Sequence, residues 1–382
     1  FAKIYMPHQI SVQPSAAHLK LYELGKEMFE KRGRKLAIAA FREFGKSTMF
    51  TVVLVAYAIC YAKEKFIILL SNTSSQSYAT LDNVMAELTS NELFRTDFPE
   101  IFESEGRPKP PRWKEGEIIT RNNIKVLALG HGQKIRGRRF GVDRPTLILL
   151  DDLEDVDTTF SRDKRDKLKK WLNKAVLHVG KSGWTNYIFL GNVFNSFSVL
   201  GEIVAQGKES GWQVQQFKAI IEWPRNMDLW QKCWEIYCKG DQALSAQSHD
   251  AARAFYSINK EKMEEGAFLQ WPQRWSLFDL MMSFFHDEGS FMAEMQSQPR
   301  DLTSLSWDET SIHFWNDRYK SIDEILENAG KELELFGAAD LCVGKNMAKG
   351  DYSAVVIVAR KNNLYYIIEA DISRKSPELV QR

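Results

Sequence analysis

The residues with the clearest chemistry are Gly45, Lys46, Ser47 and Thr48, which stand between an apolar run, 36–40, and a helix-compatible stretch. A strand, a turn of this composition and a helix are the context of a phosphate-binding loop. Backbone N–H groups at the helix N-terminus attract phosphates, and Lys46 would reach the β- and γ-phosphates of a nucleotide. The Ser47 hydroxyl would bind Mg²⁺. The alternative is an ordinary strand-to-helix turn with a solvated lysine.

The residues before Gly45 also belong to the predicted loop. Ala40 stands where such a loop usually has its first glycine, so the pattern is incomplete. Arg42, Glu43 and Phe44 follow, and we predict that they line the same nucleotide site. Further upstream, Gln9 would place its amide against an adenine ring, or it would lie in a solvent-facing loop.

A second apolar segment, 145–150, ends in two adjacent carboxylates, Asp151 and Asp152. A buried parallel strand that delivers an aspartate at its carboxyl end is how phosphate-binding folds hold their metal ion. We therefore predict that Asp151 binds Mg²⁺ and that Asp152, which directly follows it, orients the attacking water. Alternation along an extended backbone would turn Glu154 to the same side as Asp152, so Glu154 is the alternative base. The two acids could also merely cap the next helix.

Polar and basic groups accompany these segments. Asn192 follows the apolar segment 184–190, where a motor protein places a polar residue to sense the γ-phosphate. The glycine-rich basic loop 130–139 directly precedes the carboxylate strand. Its cations would touch DNA phosphates or send an arginine into the nucleotide of a neighbouring subunit, unless the loop is simply solvated. The basic candidates are Lys134, Arg136, Arg138 and Arg139.

Composition limits the classes of protein to which this chain can belong. Its 382 residues include 11 Trp and 23 Phe, which excludes a disordered chain. The net charge of +1 indicates no particular partner, so nucleic-acid binding has to come from local clusters of charge. No charge-free apolar run reaches the length of a membrane span. The four cysteines predict reduced thiols, as is typical of a cytosolic protein.

The order of segments predicts an α/β protein in three parts. In residues 1–222, apolar strands alternate with helical segments, which indicates a mostly parallel sheet with helices on both faces. Residues 223–330 turn helical and would form a linking subdomain. Strand patterns return in residues 331–382 as an antiparallel run.

The first strand of that run ends in a carboxylate, Asp340. An antiparallel run that opens in this way is how a ribonuclease-H-like nuclease begins, and a two-metal site needs several converging carboxylates. Only Asp340 is clearly placed, because Asp351 and Asp371 could be structural or lie in an outer shell of the site.

The order of these segments resembles the large terminase subunit of tailed bacteriophages, the motor and nuclease that packages viral DNA. Its most specific features are the phosphate loop with Arg42, the basic loop before the carboxylate strand, the strand end at Asn192, and Asp340 with the segment 350–354. The resemblance implies a P-loop ATPase domain, a helical linking subdomain and the start of a ribonuclease-H-like nuclease domain.

By this resemblance, Arg42 and Lys46 would contact the phosphates, with Arg42 a candidate for stabilising transition-state charge. Asn192 would couple hydrolysis to movement. Asp340 would be the first carboxylate of a nuclease site that uses Mg²⁺ or Mn²⁺. The sequence shows no further carboxylates of such a site with clear placement, so we expect the nuclease part to be incomplete in this chain.

The implied activity is ATP-driven packaging of double-stranded DNA into a procapsid, with cleavage of concatemeric DNA by the nuclease domain. The implied partners are double-stranded DNA, a portal protein, a small terminase subunit and further copies of the chain in a ring on the procapsid, in the host cytoplasm and without a membrane. The alternative is a nucleic-acid helicase or remodelling ATPase, which would show a second ATPase-like core near Asp340. A DNA-binding scaffold with an inactive ATP site would not need both Lys46 and Asp151.

Overall fold

The computed structural model describes residues 1–102, 112–155, 158–159, 161–238, 246–299, 321, 324, 334–340, 353–361 and 364–373. The chain divides into two compact units, Phe1–Asp301 and Leu302–Arg382. Each unit is described by itself. The domain boundaries that the sequence predicts at residues 222 and 330 stay predictions.

An eight-stranded sheet forms the centre of the first unit. In chain order its strands are β1 (Lys35–Ala40), β2 (Phe66–Ser71), β3 (Arg112–Lys114), β4 (Glu117–Ile119), β5 (Lys125–Gly130), β6 (Leu147–Asp151), β7 (Asn186–Gly191) and β8 (Gln213–Phe217). Their spatial order is β3-β4-β5-β2-β6-β7-β1-β8, and all pairs from β5 to β8 are parallel. The two pairs at one edge, β3 with β4 and β4 with β5, are antiparallel. The predicted α/β class with a mostly parallel sheet is confirmed.

The central strands are buried on both faces, as their continuous apolar runs predict. In β1, Leu36 and Ile38 join one apolar cluster and Ala37 and Ala39 join the other, because successive side chains point to opposite faces of a sheet. Helices cover both clusters. They are α1 (Ala2–Tyr5), α2 (Ala16–Glu30), a π-helical turn (Thr48–Val53) that continues into α3 (Leu54–Cys60), α4 (Ser74–Ser90), α5 (Glu92–Asp97), α6 (Arg162–Lys174) and α7 (Val199–Gln206).

A mainly helical segment completes the first unit. It contains α8 (Met227–Tyr237), α9 (Ala246–Glu264), α10 (Leu277–His286) and α11 (Glu288–Glu294). Its buried residues, such as Trp230 and Phe278, belong to the same apolar cluster as those of α2, α3 and α4. The large sheet ends with β8, and β9 (Ile220–Glu222) pairs with β10 (Phe268–Leu269) in a separate two-stranded sheet.

The described part of the second unit is an antiparallel sheet of β11 (Glu334–Asp340), β12 (Ser353–Lys361) and β13 (Leu364–Ser373), in that order. This is the antiparallel run that the sequence predicts. Asp351 and Cys342 lie outside the described residues, whereas Cys60, Cys233 and Cys238 are free thiols. Within the described part of the chain, no helix combines the length and the apolar character needed to cross a bilayer.

Candidate nucleotide-binding site

The phosphate loop connects β1 to the helix that continues into α3. Glu43 and Gly45 have positive φ angles of 58° and 81°, and alternation of right- and left-handed residues turns successive N–H groups to one side. The Met49 N–H donates to the Gly45 carbonyl at 3.0 Å, so the N–H groups before Met49 belong to the free first turn of a helix. These donors and the helix dipole suit the loop to binding an anion.

Lys46 lies at the centre of this site and is only 8% exposed. A buried ammonium group needs polar partners, and Lys46 Nζ donates to Asn192 Oδ1 at 2.6 Å and lies 3.8 Å from Asp152 Oδ1. The strand order explains this contact. Because β7 lies between β1 and β6, the residue after β7 reaches the space between the phosphate loop and the carboxylates.

Ser47 and Asp151 are in direct contact, with the Ser47 hydroxyl donating to Asp151 Oδ1 at 3.0 Å. The Thr51 hydroxyl lies 3.4 Å from Asp151 Oδ2 and donates to the Ser47 carbonyl at 2.6 Å. Burial raises the pKa of Asp151, the Asp152 carboxylate raises it further, and Lys46 opposes both effects. A half-buried hydroxyl, Ser47, beside a buried carboxylate, Asp151, fits Mg²⁺, which prefers oxygen ligands and takes others from phosphates and water. No cluster of three or more His, Cys, Asp or Glu side chains suits a metal ion among the described residues.

The two candidate bases, Asp152 and Glu154, lie in different surroundings. Asp152 adopts a left-handed backbone conformation, φ 45°, directly after β6, and its side chain is 55% exposed beside Lys46. Glu154 is buried, and its two carboxylate oxygens accept the N–H groups of Val199 and Leu200 at 2.8 and 3.0 Å, at the start of α7. The expectation that alternation turns both to the same side is wrong, because the chain is no longer extended at Asp152.

Both carboxylate oxygens of Glu154 are thus bound to backbone N–H groups at the N-terminus of α7. Burial raises the pKa of Glu154, and the backbone hydrogen bonds from Leu200 and Val199 oppose this shift. A carboxylate with both oxygens held by backbone donors is not oriented toward a water molecule at the phosphate loop.

The helical segment contacts three consecutive residues of the phosphate loop. The Arg42 N–H donates to the Glu294 carbonyl at 2.9 Å, and the Arg42 guanidinium, whose side chain is 69% exposed, lies 3.8 Å from the Glu294 carboxylate. The Glu43 carboxylate accepts from Arg274 at 2.6 Å. The fully buried Phe44 ring meets the Trp271 ring edge-on.

Glu294 also contacts Asn192, the partner of Lys46. The Asn192 amide lies 3.4 Å from both the carbonyl and the carboxylate of Glu294. Two residues that we predict to face the γ-phosphate are therefore joined to the last residue of α11.

The remaining candidates lie in the following places. Gln9 donates to the Glu87 carboxylate of α4 at 2.8 Å, and its contact with an adenine stays a prediction. Thr48 is half-buried at the start of the helix. Asp340 is exposed at the end of β11.

The register of the second sheet separates Asp340 from Asp371. Asp340 opposes Ala354, which opposes Ile372, whereas Asp371 opposes Val355. Directly opposed residues share a face and neighbours alternate, so Asp340 and Asp371 project from opposite faces. Asp371 therefore does not converge with Asp340 on one metal ion.

The basic loop forms an exposed cationic surface. The Arg136 guanidinium donates to the Lys174 carbonyl, and Arg138 Nε donates to the Lys134 carbonyl at 3.1 Å. Arg139 has no hydrogen-bond or ion-pair partner among the described residues. A cavity of about 330 Å³ opens here, lined by Arg136, Gly137, Arg138, Arg139, Arg144, Lys174, His178 and Val179.

Sequence reasoning missed several residues of this site. Thr51 lies one helical turn after Ser47, so the spacing of positions i and i+4 could have indicated it. Glu294, Arg274 and Trp271 come from a distant part of the chain, and no local pattern connects them with the loop.

No protein-family model matches the sequence, and no curated protein matches it. The structure is similar to solved phage proteins. It aligns with the large terminase of bacteriophage HK97 at 15% identity and a TM-score of 0.36, covering 88% of this chain and 58% of that one. The large terminase of a thermophilic bacteriophage in complex with ADP aligns at 10% identity and a TM-score of 0.34, covering 96% and 70%.

A mutant ATPase domain of the Thermus phage P74-26 large terminase aligns at 11% identity and a TM-score of 0.34, covering 76% of this chain and 96% of that one. This chain therefore spans well under two thirds of the HK97 protein and nearly all of an isolated ATPase domain. At such identities and TM-scores the likeness is weak, and we base the function on the geometry of this chain's own site.

Proposed function

We propose that this chain binds ATP with Mg²⁺ at the phosphate loop and hydrolyses it. The observation that carries this proposal is the convergence of two pairs, Lys46 with Asn192 and Ser47 with Asp151, beside a helix N-terminus. Three different strand ends supply these groups, and an ordinary strand-to-helix turn would not bring them together.

Each residue of the site would have its own role in ATP binding or hydrolysis. The loop N–H groups and Lys46 bind and orient the phosphates, and Arg42 adds positive charge where the transition state gains negative charge. Ser47 and Asp151 would hold Mg²⁺, which when bound neutralises phosphate charge. Asp152, exposed beside Lys46, orients the attacking water and accepts its proton, and Asn192 senses the γ-phosphate.

We further propose that this ATPase drives the packaging of double-stranded DNA, as the order of its motifs in the sequence suggests. The partners would be DNA, a portal protein, a small terminase subunit and further copies of the chain. The joining of Arg42 and Asn192 to Glu294 supports a motor, because it gives the helical segment a direct connection to the nucleotide site. A nuclease activity at Asp340 would need carboxylates that converge with it.

The sharpest test of ATP hydrolysis is Lys46→Ala. The variant loses the charge that would stabilise the transferring phosphoryl group, and we expect turnover to fall on the order of 10³-fold. The measurement is DNA-stimulated phosphate release, with Lys26→Ala as the control because Lys26 lies exposed on α2, where it pairs with Glu30. Near wild-type turnover in Lys46→Ala would disprove the assignment.

A further inference from the structure

His18 lies behind the phosphate loop, in the first turn of α2, and is 5% exposed. Its ring packs between Phe44 and Trp271, with centroid distances of 4.4 and 4.3 Å. Its Nε2 lies 2.9 Å from the Phe44 carbonyl oxygen. A buried polar ring is thus in contact with the backbone of the loop itself.

The other ring nitrogen determines the tautomer of His18. The Ser15 backbone N–H donates to Nδ1 at 3.1 Å, so Nδ1 carries no hydrogen. In neutral His18 the ring hydrogen is therefore on Nε2, and it is donated to the Phe44 carbonyl. His18 occupies the position that Glu or Gln has in a capping box, so one nitrogen caps α2 while the other reaches the loop.

This hydrogen bond orients one peptide unit of the loop. The Phe44–Gly45 peptide is trans, so its carbonyl and its N–H point in opposite directions. A Phe44 carbonyl held toward His18 turns the Gly45 N–H to the other side. Gly45 has no side chain to resist rotation and already has a φ of 81°, so this peptide unit needs an external partner to keep one orientation.

We propose that His18 is a positioning residue for the nucleotide, because its Nε2–H holds the Phe44–Gly45 peptide with the N–H, rather than the carbonyl, toward the phosphates. The inference rests on the proposed nucleotide site, and His18 sets the affinity of that site for the nucleotide. His18 itself touches no reacting atom.

Protonation would place a hydrogen on Nδ1 against the Ser15 N–H and so disturb the cap of α2, whereas Nε2 would still donate to the Phe44 carbonyl. Burial lowers the pKa of His18, and the Phe44 carbonyl opposes that shift. The groups packed on the ring, Ser15, Phe44 and Trp271, carry no charge, and the adjacent charges of Glu43 and Arg274 are paired with each other. Since the folded pKa is lowered, the Ser15 contact is complete above the ordinary value of 6.5 and is lost as the pH falls through the folded value, while the Phe44 contact persists.

The experiment compares ATP affinity by calorimetry in the wild type, His18→Leu, His18→Gln and Lys46→Ala. A Gln side chain can accept from Ser15 and donate to Phe44 but cannot be protonated. We expect His18→Leu to bind ATP about fivefold to tenfold more weakly, as the loss of one buried hydrogen bond predicts, and His18→Gln to bind within about twofold of the wild type. The control is Ser276→Ala, which removes a helix cap at α10 and should lower stability but not affinity.

Unchanged affinity in His18→Leu would overturn the inference, and so would equal weakening in both His18 variants, which would indicate a packing role. If the His18→Leu chain does not fold, His18→Phe takes its place, since it keeps an aromatic ring against Phe44 and Trp271 but has no hydrogen to donate. Unchanged ATP affinity in His18→Phe would overturn the inference. A wild type that does not bind ATP, or binding that survives Lys46→Ala, would instead overturn the proposed function and the inference with it.

Discussion

At the scale of single residues, two neighbouring acids of similar chemistry have opposite surroundings. Asp152 is half exposed beside Lys46, whereas Glu154 is buried with both oxygens bound to backbone N–H groups of α7. A base has to reach a water molecule, so exposure and direction decide between them rather than acidity. Asp152 is the acid that meets this condition.

The comparison of Asp152→Asn with Glu154→Gln tests this choice. Asp152→Asn should bind ATP normally and hydrolyse it about 10²- to 10⁴-fold more slowly, because the amide cannot accept the proton of the water. Glu154→Gln should keep its turnover and lose about 1 kcal/mol of unfolding free energy, since its NH₂ group would face one backbone donor. Turnover and urea unfolding measure the two effects. Loss of hydrolysis in Glu154→Gln alone would reverse the assignment.

At the scale of elements, helix α11 is one of the connections between the helical segment and the candidate nucleotide site. Its last residue, Glu294, holds the Arg42 N–H with its carbonyl and lies near the Arg42 guanidinium with its carboxylate. That carboxylate competes with phosphates for the same guanidinium. We therefore expect the element to respond to a bound nucleotide through charge as well as through packing.

The variant Glu294→Gln removes this competition and keeps the backbone contact. Partly exposed ion pairs contribute about 0.2–1 kcal/mol, so we expect ATP to bind up to about fivefold more tightly. Calorimetric titration with ATP measures the change, and Glu288→Gln, at the other end of α11, is the matched control. Weaker ATP binding in Glu294→Gln would contradict a competing role.

At the scale of the whole molecule, the basic loop is part of a larger cationic surface that includes Arg144 and Lys174. An arginine that enters a neighbouring nucleotide needs no such surroundings, whereas a DNA backbone presents many phosphates. Among the four basic residues predicted in this loop, Arg136 is bound to the Lys174 carbonyl. Arg139 has no described partner and is the best candidate for contact with another molecule.

We expect Arg139→Ala to weaken DNA binding regardless of sequence and to reduce the slope of log affinity against log salt by about 1. Salt titrations of DNA binding measure this slope, with Lys208→Ala as a control for the loss of one surface charge. Restored ATP hydrolysis in a mixture of Arg139→Ala and Lys46→Ala would contradict this role, because it would show Arg139 acting in a neighbouring subunit.

For the second unit, we expect no cleavage of DNA by this chain. Asp340 and Asp371 project from opposite faces of the sheet, and a two-metal site needs carboxylates on one side. We expect this chain to leave plasmid DNA intact with Mn²⁺, and Asp340→Ala to hydrolyse ATP like the wild type. Digestion by the wild type that Asp340→Ala abolishes would show that Asp340 has converging partners.

The sequence by itself determined the α/β class, the phosphate loop and the carboxylate strand. Buried parallel strands appear as continuous apolar runs, and the turn residues Gly45, Lys46 and Ser47 have to be adjacent to work. These are short-range properties that are visible in any stretch of chain. Asp151 belongs to the same group because it directly ends its strand.

Only the tertiary structure decided which polar groups meet. The strand order, with β7 between β1 and β6, places Asn192 against Lys46. The left-handed backbone conformation of Asp152 ends the extended chain, and Glu154 contacts α7 rather than the site. Glu294 and His18 stand near opposite ends of the sequence of this unit, and both contact the loop. Such contacts depend on how whole elements pack, since side chains far apart in sequence meet only after the sheet and both apolar clusters have formed.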